Sequence, residues 1–481
     1  MRELSLKGAK NQKGLIGAAI FAIMTIYIFS ISSFLVHCHR MFYTFFDLAL
    51  FDQIFWNFLQ GNWFQTSLEN CNNFLGIHFS PILVLLIPIY AIRQSPITLM
   101  VARTVLIAMG CLPAYWISRR LFEKRFIPLL FSAFYLFNPL VVKINLENHF
   151  NPIGLLLPIL MFALHFLFEK RFFPFIAFCI LACLVKEDIP LTIAFLGLYV
   201  AFFMKKWRLG ACIALFSVLY FIFAIKILIP HFAQSEIYDV RAGNGFDYLG
   251  EGVGGIITGI LQNPLTVLKM IISREKMIYI FVLLFTFSFL PLLRPSLLIP
   301  AIPALTIILI GQSDTLTSIF SRYSTPLAPF VFVATIAGLS KCKSYFIQKK
   351  ARWKLVVYSL LILLFCCSFM VHLLYPEFKP RYYPHAENSR KIISAICKDC
   401  SVTATQNFLP HLSHRRRLFD ITHEVKTDIV VLETNPNHWI THKMAGEEAY
   451  QKAIQNIMND PSLKPVREFD GILLYERIID K

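Results

Sequence analysis

Two carboxylates and one histidine border apolar sequence early in the chain. Asp47 begins an aromatic segment (FFDLALFDQIFW), Asp52 follows five residues later, and His78 begins the apolar run HFSPILVLLIPIY. A carboxylate can accept the proton of a reacting hydroxyl group, and an imidazole can transfer a proton near neutral pH. We therefore predict that Asp47, Asp52 and His78 are catalytic residues.

Other polar residues stand at the ends of later apolar runs. A charged group near a bilayer costs about 2.5–3.5 kcal/mol on insertion scales, so it usually faces a cavity and has a function. On this ground we predict that the following residues bind substrate: Glu147, His149, Lys186, Glu187, Asp188, Arg241, Arg322 and Tyr323. We expect Asp47, His78 and the Lys186–Asp188 cluster to line one cavity that opens outward, because cavities with poorly solvated ionisable groups are the usual active-site candidates.

Simpler roles exist for the same side chains. Asp47 could cap its helix, since the first turn of a helix favours an anion. His78 could anchor a helix at the lipid headgroups, and Arg322 with Tyr323 could be interface anchors. Residues 186–188 could be a self-neutralising charge cluster, and Glu147 and His149 could be ordinary loop residues.

The spacing of the two aspartates bears on metal binding. On a helix, five residues correspond to a rotation of roughly 140°, so Asp47 and Asp52 cannot point into one pocket. We therefore predict no defined metal site and keep a divalent cation only as a candidate cofactor.

The composition is that of a membrane protein. Of 481 residues, 56% are hydrophobic and 16% are charged, and the chain has 47 phenylalanines. The mean hydropathy is +0.60. Apolar runs of about 15–23 residues predict a polytopic α-helical membrane protein. The net charge of +17 lies in short Lys/Arg clusters between these runs, as the positive-inside rule expects. The clusters are too short to follow a phosphate backbone, so we predict no nucleic-acid partner.

The alternation of basic and acidic ends predicts the topology. The basic N-terminus should be cytoplasmic and precede an uncleaved signal-anchor span. The periodic apolar residues of segment 46–60 predict a helix along the membrane interface, and residues 79–92 should be juxtamembrane or re-entrant. About eleven spans are predicted near residues 14–36, 97–117, 126–143, 151–168, 172–185, 189–204, 209–230, 277–293, 296–311, 325–339 and 355–374. The linker 341–354 should then be cytoplasmic and the C-terminus extracytoplasmic.

Residues 375–481 have a mixed polar composition that predicts a small extracytoplasmic α/β domain. Strands are expected at Ser401–Thr405, Asp428–Glu433 and Gly471–Arg477, and a helix at 447–458. Cys397 and Cys400 form a CxxC motif, but only two residues separate His411 from His414, which disfavours zinc. A local disulfide or two free thiols is expected instead. The Arg415–Arg417 run predicts a solvated or headgroup-facing patch, with a carbohydrate phosphate as the alternative ligand.

Five segments of the chain carry a family resemblance. They are FDLALFDQIFW, LGIHFSPILVLLIPIY, LVKEDIPL, SRYSTPLAPF and TATQNFLPHLSHRRRLFDI. They resemble the predicted membrane proteins of domain-of-unknown-function family 2079, which is grouped with the GT-C glycosyltransferases. The resemblance implies a GT-C-like transmembrane domain at 1–374, with outer loops 37–96 and 231–276, followed by the domain at 375–481.

The GT-C resemblance also implies roles for particular residues. Asp47 would be the first-loop acid that accepts or orients the acceptor hydroxyl. Lys186 would hold the departing lipid phosphate, with Arg241, Arg274 and Lys276 as reserves.

The resulting expectation is a glycosyltransferase in a bacterial inner membrane, bound to membrane lipid. A polyprenyl-phosphate sugar would be the donor, and an envelope glycan, lipid or protein the acceptor. The alternatives are a transporter or flippase for a lipid-linked envelope molecule, and a non-catalytic envelope assembly protein.

Overall fold

The structure is a computed structural model of the whole chain. It describes residues 2–124, 126–233, 245–250, 252–318, 321–350, 352–375, 382–423, 426–435, 438, 440 and 448–478.

Long apolar helices dominate the described part of the chain. About 20 helical residues are needed to cross the hydrocarbon layer of a bilayer. Six helices there are long and apolar enough, namely Gly14–Arg40, Pro96–Leu121, Phe126–Leu146, Trp207–Ala233, Ala328–Gln348 and Trp353–Leu374. Five shorter apolar helices are Pro81–Ile92, Pro152–Phe168, Phe172–Cys183, Ile189–Phe202 and Pro295–Ile310. The mostly helical membrane fold is confirmed, whereas the count of eleven crossings stays a prediction.

Several of these helices are built from shorter pieces. The first is helix α1, Arg2–Arg40, of which the apolar part begins at Gly14. Three others are interrupted and consist of Pro96–Met109 with Cys111–Leu121, Phe126–Phe137 with Pro139–Leu146, and Trp207–Phe223 with Ala224–Leu228 and Ile229–Ala233. The basic segment after residue 340 is helical to Gln348, so the expectation of a linker at 341–354 was wrong for its first part. Its Lys residues do not interrupt the helix because Lys is a good helix former.

The remaining helices are short and connect the apolar ones. Before the C-terminal region they are Phe46–Leu59, Phe74–Gly76, Asp247–Leu249, Gly252–Gln262, Pro264–Ile271, Arg274–Thr286, Leu290–Leu293, Asp314–Thr317 and Arg322–Ser324. In the C-terminal region they are Ala386–Ala395, Leu409–Leu412 and Glu448–Met458. The helix at Glu448–Met458 agrees with the predicted one at 447–458.

Close backbone packing joins two of the apolar helices. A Cβ atom on Gly197 would lie 2.7 Å from the Gly210 carbonyl oxygen. Only glycine allows so close an approach, so helices Ile189–Phe202 and Trp207–Phe223 pack backbone to backbone there, as small residues permit in membranes.

Helix α2, Phe46–Leu59, lies where the sequence predicts a helix, but its surroundings differ from the expectation. Its apolar residues Leu48, Phe51 and Phe55 are buried, as the periodicity indicates. Its polar residues Asp52 and Gln53 are fully buried as well. The expected water-facing side of α2 is therefore covered, and the C-terminal region covers it, since Gln53 Nε2 donates to the Arg415 carbonyl at 2.9 Å.

The C-terminal region contains one five-stranded sheet. Its strands are β1 Val402–Ala404, β2 Leu418–Asp420, β3 Ile429–Glu433, β4 Leu463–Phe469 and β5 Ile472–Arg477. The spatial order is β2-β1-β3-β5-β4, with β1 parallel to β2 and β3 and with β5 antiparallel to β3 and β4. Three strands were predicted, whereas β2 and β4 were not. β2 has only three residues and β4 is mostly exposed, so neither has the apolar run or alternation that marks a strand.

The sheet is packed on both faces. Val402, Leu418 and Ile472 belong to the same apolar core as the membrane helices. Val430, Tyr450 and Ile454 form a separate core between the sheet and helix Glu448–Met458. The sheet is thus seated directly on the helical domain rather than tethered beside it.

Candidate functional site

A cavity of about 390 Å³ lies at the N-terminal end of α2. It brings together Asp47, His78, Lys186, Arg322 and Tyr323, which come from four separate parts of the sequence. The rest of its described lining is Leu50, Phe51, Glu69, Phe74, Ser80, Asn151, Pro152, Ile153, Val185, Ser313 and Thr315.

Asp47 sits in the first turn of α2 with its side chain held by groups from other elements. Its Oδ2 atom accepts hydrogen bonds from Arg322 Nη1 at 2.7 Å, Asn148 Nδ2 at 2.7 Å and Asn151 Nδ2 at 3.3 Å. The N-cap of α2 is Phe45, without a side-chain capping bond. Asp47 therefore does not cap the helix by a hydrogen bond, and all three of these bonds end on one of its oxygens.

The loop after helix Pro139–Leu146 supplies the asparagine amides. Asn148 and His149 both have left-handed backbone angles, with φ of 54° and 61°. This conformation is uncommon outside glycine, and asparagine tolerates it better than most residues. The reversal turns the Asn148 amide towards Asp47. His149 is 8% exposed and packs edge-on against Phe45, with ring centroids 5.3 Å apart, outside the described lining.

Glu147 is buried just before that loop. Burial, only partly offset by the charges of Arg322 and Lys143, raises the pKa of the Glu147 carboxyl to about 7. The backbone carbonyl of Glu147 accepts a hydrogen bond from Arg103 Nη1 at 3.4 Å, and Arg103 is itself 1% exposed. Glu147 does not line the described cavity, but its carboxyl interacts electrostatically with Arg322.

Arg322 is the main cationic partner of Asp47. Burial lowers the pKa of its guanidinium, but Asp47, Tyr323 and Glu147 together outweigh burial and leave the pKa above its usual value. The guanidinium also lies 5.5 Å from the centre of the Tyr323 ring. A guanidinium held on both sides in this way is fixed in place as a positive charge on the cavity wall.

Lys186 supplies a second positive charge. Its Nζ lies 3.5 Å from Asp188 Oδ1 and 3.9 Å from Glu187 Oε1. Burial lowers the pKa of Lys186, but the Asp188 and Glu187 carboxylates outweigh it, so the net shift is upward and the ammonium stays charged. Lys186 therefore pairs with the two carboxylates of its own cluster, but it also lines the cavity and can contact a ligand there.

Glu187 connects that cluster to His78. Its Oε1 lies 2.9 Å from His78 Nδ1, and its Oε2 accepts the Phe79 backbone N–H at 3.1 Å. Burial alone would raise the pKa of Glu187, but His78 and Lys186 together lower it to about 2. The ionised Glu187 thus fixes the imidazole of His78, whose side chain remains 43% exposed at the cavity.

Asp52 lies away from this cavity. It is fully buried and accepts hydrogen bonds from the Tyr90 hydroxyl at 2.7 Å and the Ser413 hydroxyl at 2.5 Å. His414 Nε2 is 3.0 Å from the same carboxylate. The structure therefore separates Asp52 from Asp47, as their angular spacing on a helix indicates, and places Asp52 in the contact with the C-terminal region.

Of the reserve cations, Arg274 and Lys276 are not among the lining residues of the Asp47 cavity. Lys276 Nζ donates to the carbonyls of Ile308 and Gly311, both at 2.6 Å, at the C-terminal end of helix Ile302–Ile310. A lysine there complements the helix dipole, which accounts for its burial. Arg274 is exposed. Arg241 lies outside the described residues.

Several polar residues of the site were not predicted. Glu69 lines the cavity, and burial, opposed by His78, raises the pKa of its carboxyl. Asn148 and Asn151 donate hydrogen bonds to Asp47. The only sequence feature that could have identified them as site residues is their position beside Glu147 and His149. Within the described residues, no three His, Cys, Asp or Glu side chains are grouped to hold a metal ion. Cys397 and Cys400 are joined in a disulfide, so these sulfurs are not thiolate ligands.

The fold has solved counterparts. The crystal structure of ArnT from Cupriavidus metallidurans bound to undecaprenyl phosphate aligns with a TM-score of 0.52 and 12% identity, over 98% of both chains. The apo structure of ArnT from the same organism aligns with a TM-score of 0.51 and 14% identity, again over 98% of both. At such low identity the likeness establishes the fold alone, and that fold is the GT-C fold. No curated protein matches the chain. Residues 37–474 match the family described as "Predicted membrane protein (DUF2079)", and the chain therefore belongs to this family.

Proposed function

We propose that the protein is a GT-C-type membrane glycosyltransferase that moves a sugar from a polyprenyl-phosphate donor to an envelope acceptor. The reaction would take place on the outer side of a bacterial inner membrane, with the C-terminal region extracytoplasmic. The observation that carries the proposal is the shared cavity of Asp47, Lys186 and Arg322, in which the Asp47 carboxylate lies with two positive charges. A carboxylate can take a proton there, and the two cations can hold a phosphate.

The position of the charges favours an enzyme over a transporter. Asp47 follows α1, Lys186 lies between helices Phe172–Cys183 and Ile189–Phe202, and Arg322 precedes helix Ala328–Gln348. All three are therefore at helix ends, where a reaction at a membrane surface needs them. A transporter would place such groups near the bilayer midplane, within broken helices.

The proposed reaction is a single displacement at the anomeric carbon of the donor sugar. The acceptor hydroxyl forms the new C–O bond and gives its proton to Asp47, while the bond from the anomeric carbon to the phosphate oxygen breaks. Because the three described hydrogen bonds to Asp47 end on Oδ2, Oδ1 is the oxygen that accepts this proton. Lys186 stabilises the polyprenyl phosphate as it departs with its electron pair.

The fold likeness supports the choice of donor. ArnT from Cupriavidus metallidurans has been crystallised with undecaprenyl phosphate, a polyprenyl phosphate. The sugar would then arrive from the lipid phase, and the acceptor from the envelope.

A deletion strain tests the proposal. We expect the strain to accumulate one polyprenyl-phosphate sugar and to lose the same sugar from an envelope glycan, lipid or protein. Mass spectrometry of the extracted lipids and of the envelope fractions measures both changes. The wild-type gene should reverse them and the Asp47→Asn gene should not. Unchanged pools in the deletion strain would contradict a transferase.

A further inference from the structure

A second and larger cavity, of about 940 Å³, lies between α2 and the C-terminal region. Trp56 of α2 and Gln60, which follows α2, line it together with Pro96 at the start of the next long apolar helix. Trp56 is nine residues from Asp47, which corresponds to about 180° around a helix. The second cavity is therefore on the opposite side of α2 from the Asp47 cavity, and the proposed transfer reaction does not use it.

The described lining of the second cavity is basic. It contains Lys398, Arg415 and Arg416 against one carboxylate, that of Asp399. The Arg415 guanidinium donates to the backbone carbonyls of Leu412, Cys397 and Cys400, at 2.7, 3.3 and 3.1 Å. Arg415 thus holds the disulfide loop in place.

Two cations are left for a ligand. Lys398 and Arg416 are both exposed, and neither has a carboxylate within ion-pair distance among the described residues. A polyvalent anion is the ligand that such a pair binds best.

The ring of His411 lies on the same wall. It stacks on His39, with ring centroids 4.1 Å apart, and hydrogen-bonds to the His39 backbone. Its Nε2 atom is inaccessible to solvent, so His411 contributes its ring, and not this atom, to the cavity wall.

The cavity also has an apolar side. Trp56, Pro96 and Ile393 belong to its lining, and Pro96 begins an apolar helix long enough to cross a membrane. A cavity at the end of an apolar helix is expected at the depth of lipid phosphates, which attract Lys and Arg side chains.

We propose that this second cavity binds a net-anionic, phosphate-bearing headgroup, independently of the Asp47 cavity. Lys398 and Arg416 contact the phosphate, and Trp56 packs against the adjoining apolar part. The ligand thereby bridges α2 and the C-terminal region.

Isothermal titration of the purified full-length protein in an uncharged detergent tests this proposal. Three probes are compared, namely dihexanoylphosphatidylglycerol, dihexanoylphosphatidylcholine and glycerol 1-phosphate. We expect saturable binding of the first and at least about tenfold weaker binding of the zwitterionic second, because its choline cation is repelled by Lys398 and Arg416. Binding of glycerol 1-phosphate as tightly as the lipid would identify a free phosphate compound as the ligand, and much weaker binding would identify a lipid.

Matched variants assign the binding to the cavity. Lys398→Ala with Arg416→Ala should weaken binding about tenfold or more, and Lys398→Arg with Arg416→Lys should keep it. The control is Lys464→Ala with Arg467→Ala, an exposed Lys/Arg pair on β4 that should leave binding unchanged.

Two results would overturn the proposal. One is the absence of saturable binding by every probe, and the other is equal binding by the wild type and the Lys398/Arg416 alanine variant. Lys186→Ala should leave this binding intact, so failure here is distinguishable from failure of the proposed transferase activity.

Discussion

Asp47 and Arg322 are 275 residues apart in sequence, yet their side chains form an ion pair 2.7 Å long. The pair joins the first turn of α2 to the short helix that precedes Ala328. It fixes the carboxylate on which the proposed chemistry depends and keeps a cation beside it. The predictions below follow from this pair and from the groups around it.

Asp47→Asn should abolish glycosyl transfer while leaving the protein folded. Asparagine keeps the shape of the side chain but cannot accept the proton, and loss of a general base typically costs about 10²–10⁴ in rate. The ion pair with Arg322 is partly exposed, so its loss should cost at most about 1 kcal/mol of stability. Transfer assays and thermal unfolding in detergent measure the two effects. Full activity in this variant would exclude Asp47 as the base.

Lys186→Ala should weaken donor binding more than it slows the chemical step. The ammonium is held beside Asp188 and Glu187 and faces the cavity. Loss of a charge-assisted contact to phosphate costs about 1.5–3 kcal/mol, which is roughly a 10- to 150-fold rise in KM for the donor. Lys186→Arg is the matched control and should retain most of the affinity. An unchanged KM in the alanine variant would place the phosphate elsewhere.

Glu147 should make the folded protein less stable as the pH rises from about 4.5 to about 7. The pKa of its carboxyl is raised by burial from 4.5 to about 7, so the folded state binds more protons than the unfolded state in this window. Stability falls with pH wherever the native state binds the extra proton. Glu147→Gln should flatten this part of the stability profile. Thermal unfolding between pH 4.5 and 8 checks it, and identical slopes in both proteins would refute the assignment.

Asp52 variants should lose stability rather than catalytic power. Asp52→Ala leaves Tyr90, Ser413 and His414 without their buried acceptor, and breaking such a buried pair typically costs about 3–5 kcal/mol. Asp52→Asn should cost less because it still accepts one hydrogen bond. The measurements are thermal unfolding of the protein and the rate at which a protease cleaves the chain on the C-terminal side of residue 382. A drop in kcat with unchanged stability would restore the catalytic role that the sequence analysis assigned to Asp52.

The sequence predicted the Asp47 cavity better than it predicted the contact around Asp52. Asp47, His78 and Lys186 each stand beside an apolar run. Because burying a charged group is costly, each of them could be identified as a candidate site residue by itself. The predicted alternation of helix ends then places all three on the same side of the membrane. Asn148 and Asn151 carry no charge and leave no such mark. Two of the partners of Asp52, Ser413 and His414, lie 361 and more residues away. Because a local pattern carries no information about tertiary docking, α2 was expected to face water.

The same contrast applies to the helices and strands. Helix α2 was predicted to within one residue at its C-terminal end because its apolar positions repeat with the helical period. Strands β2 and β4 were missed because their identity depends on pairing with β1 and β5. A three-residue strand has no periodicity of its own.

Helix α2 touches two different surroundings over a short length. Asp47 faces the cavity, and Asp52 and Gln53 are hydrogen-bonded to the C-terminal region. Five residues of helix rise about 7.5 Å, and a helix of this length moves as a rigid rod. We therefore expect a displacement of the C-terminal region to shift the Asp47 carboxylate relative to Arg322 and Lys186. The C-terminal region thus bears on the position of this carboxylate through α2, although none of its described residues lines the Asp47 cavity.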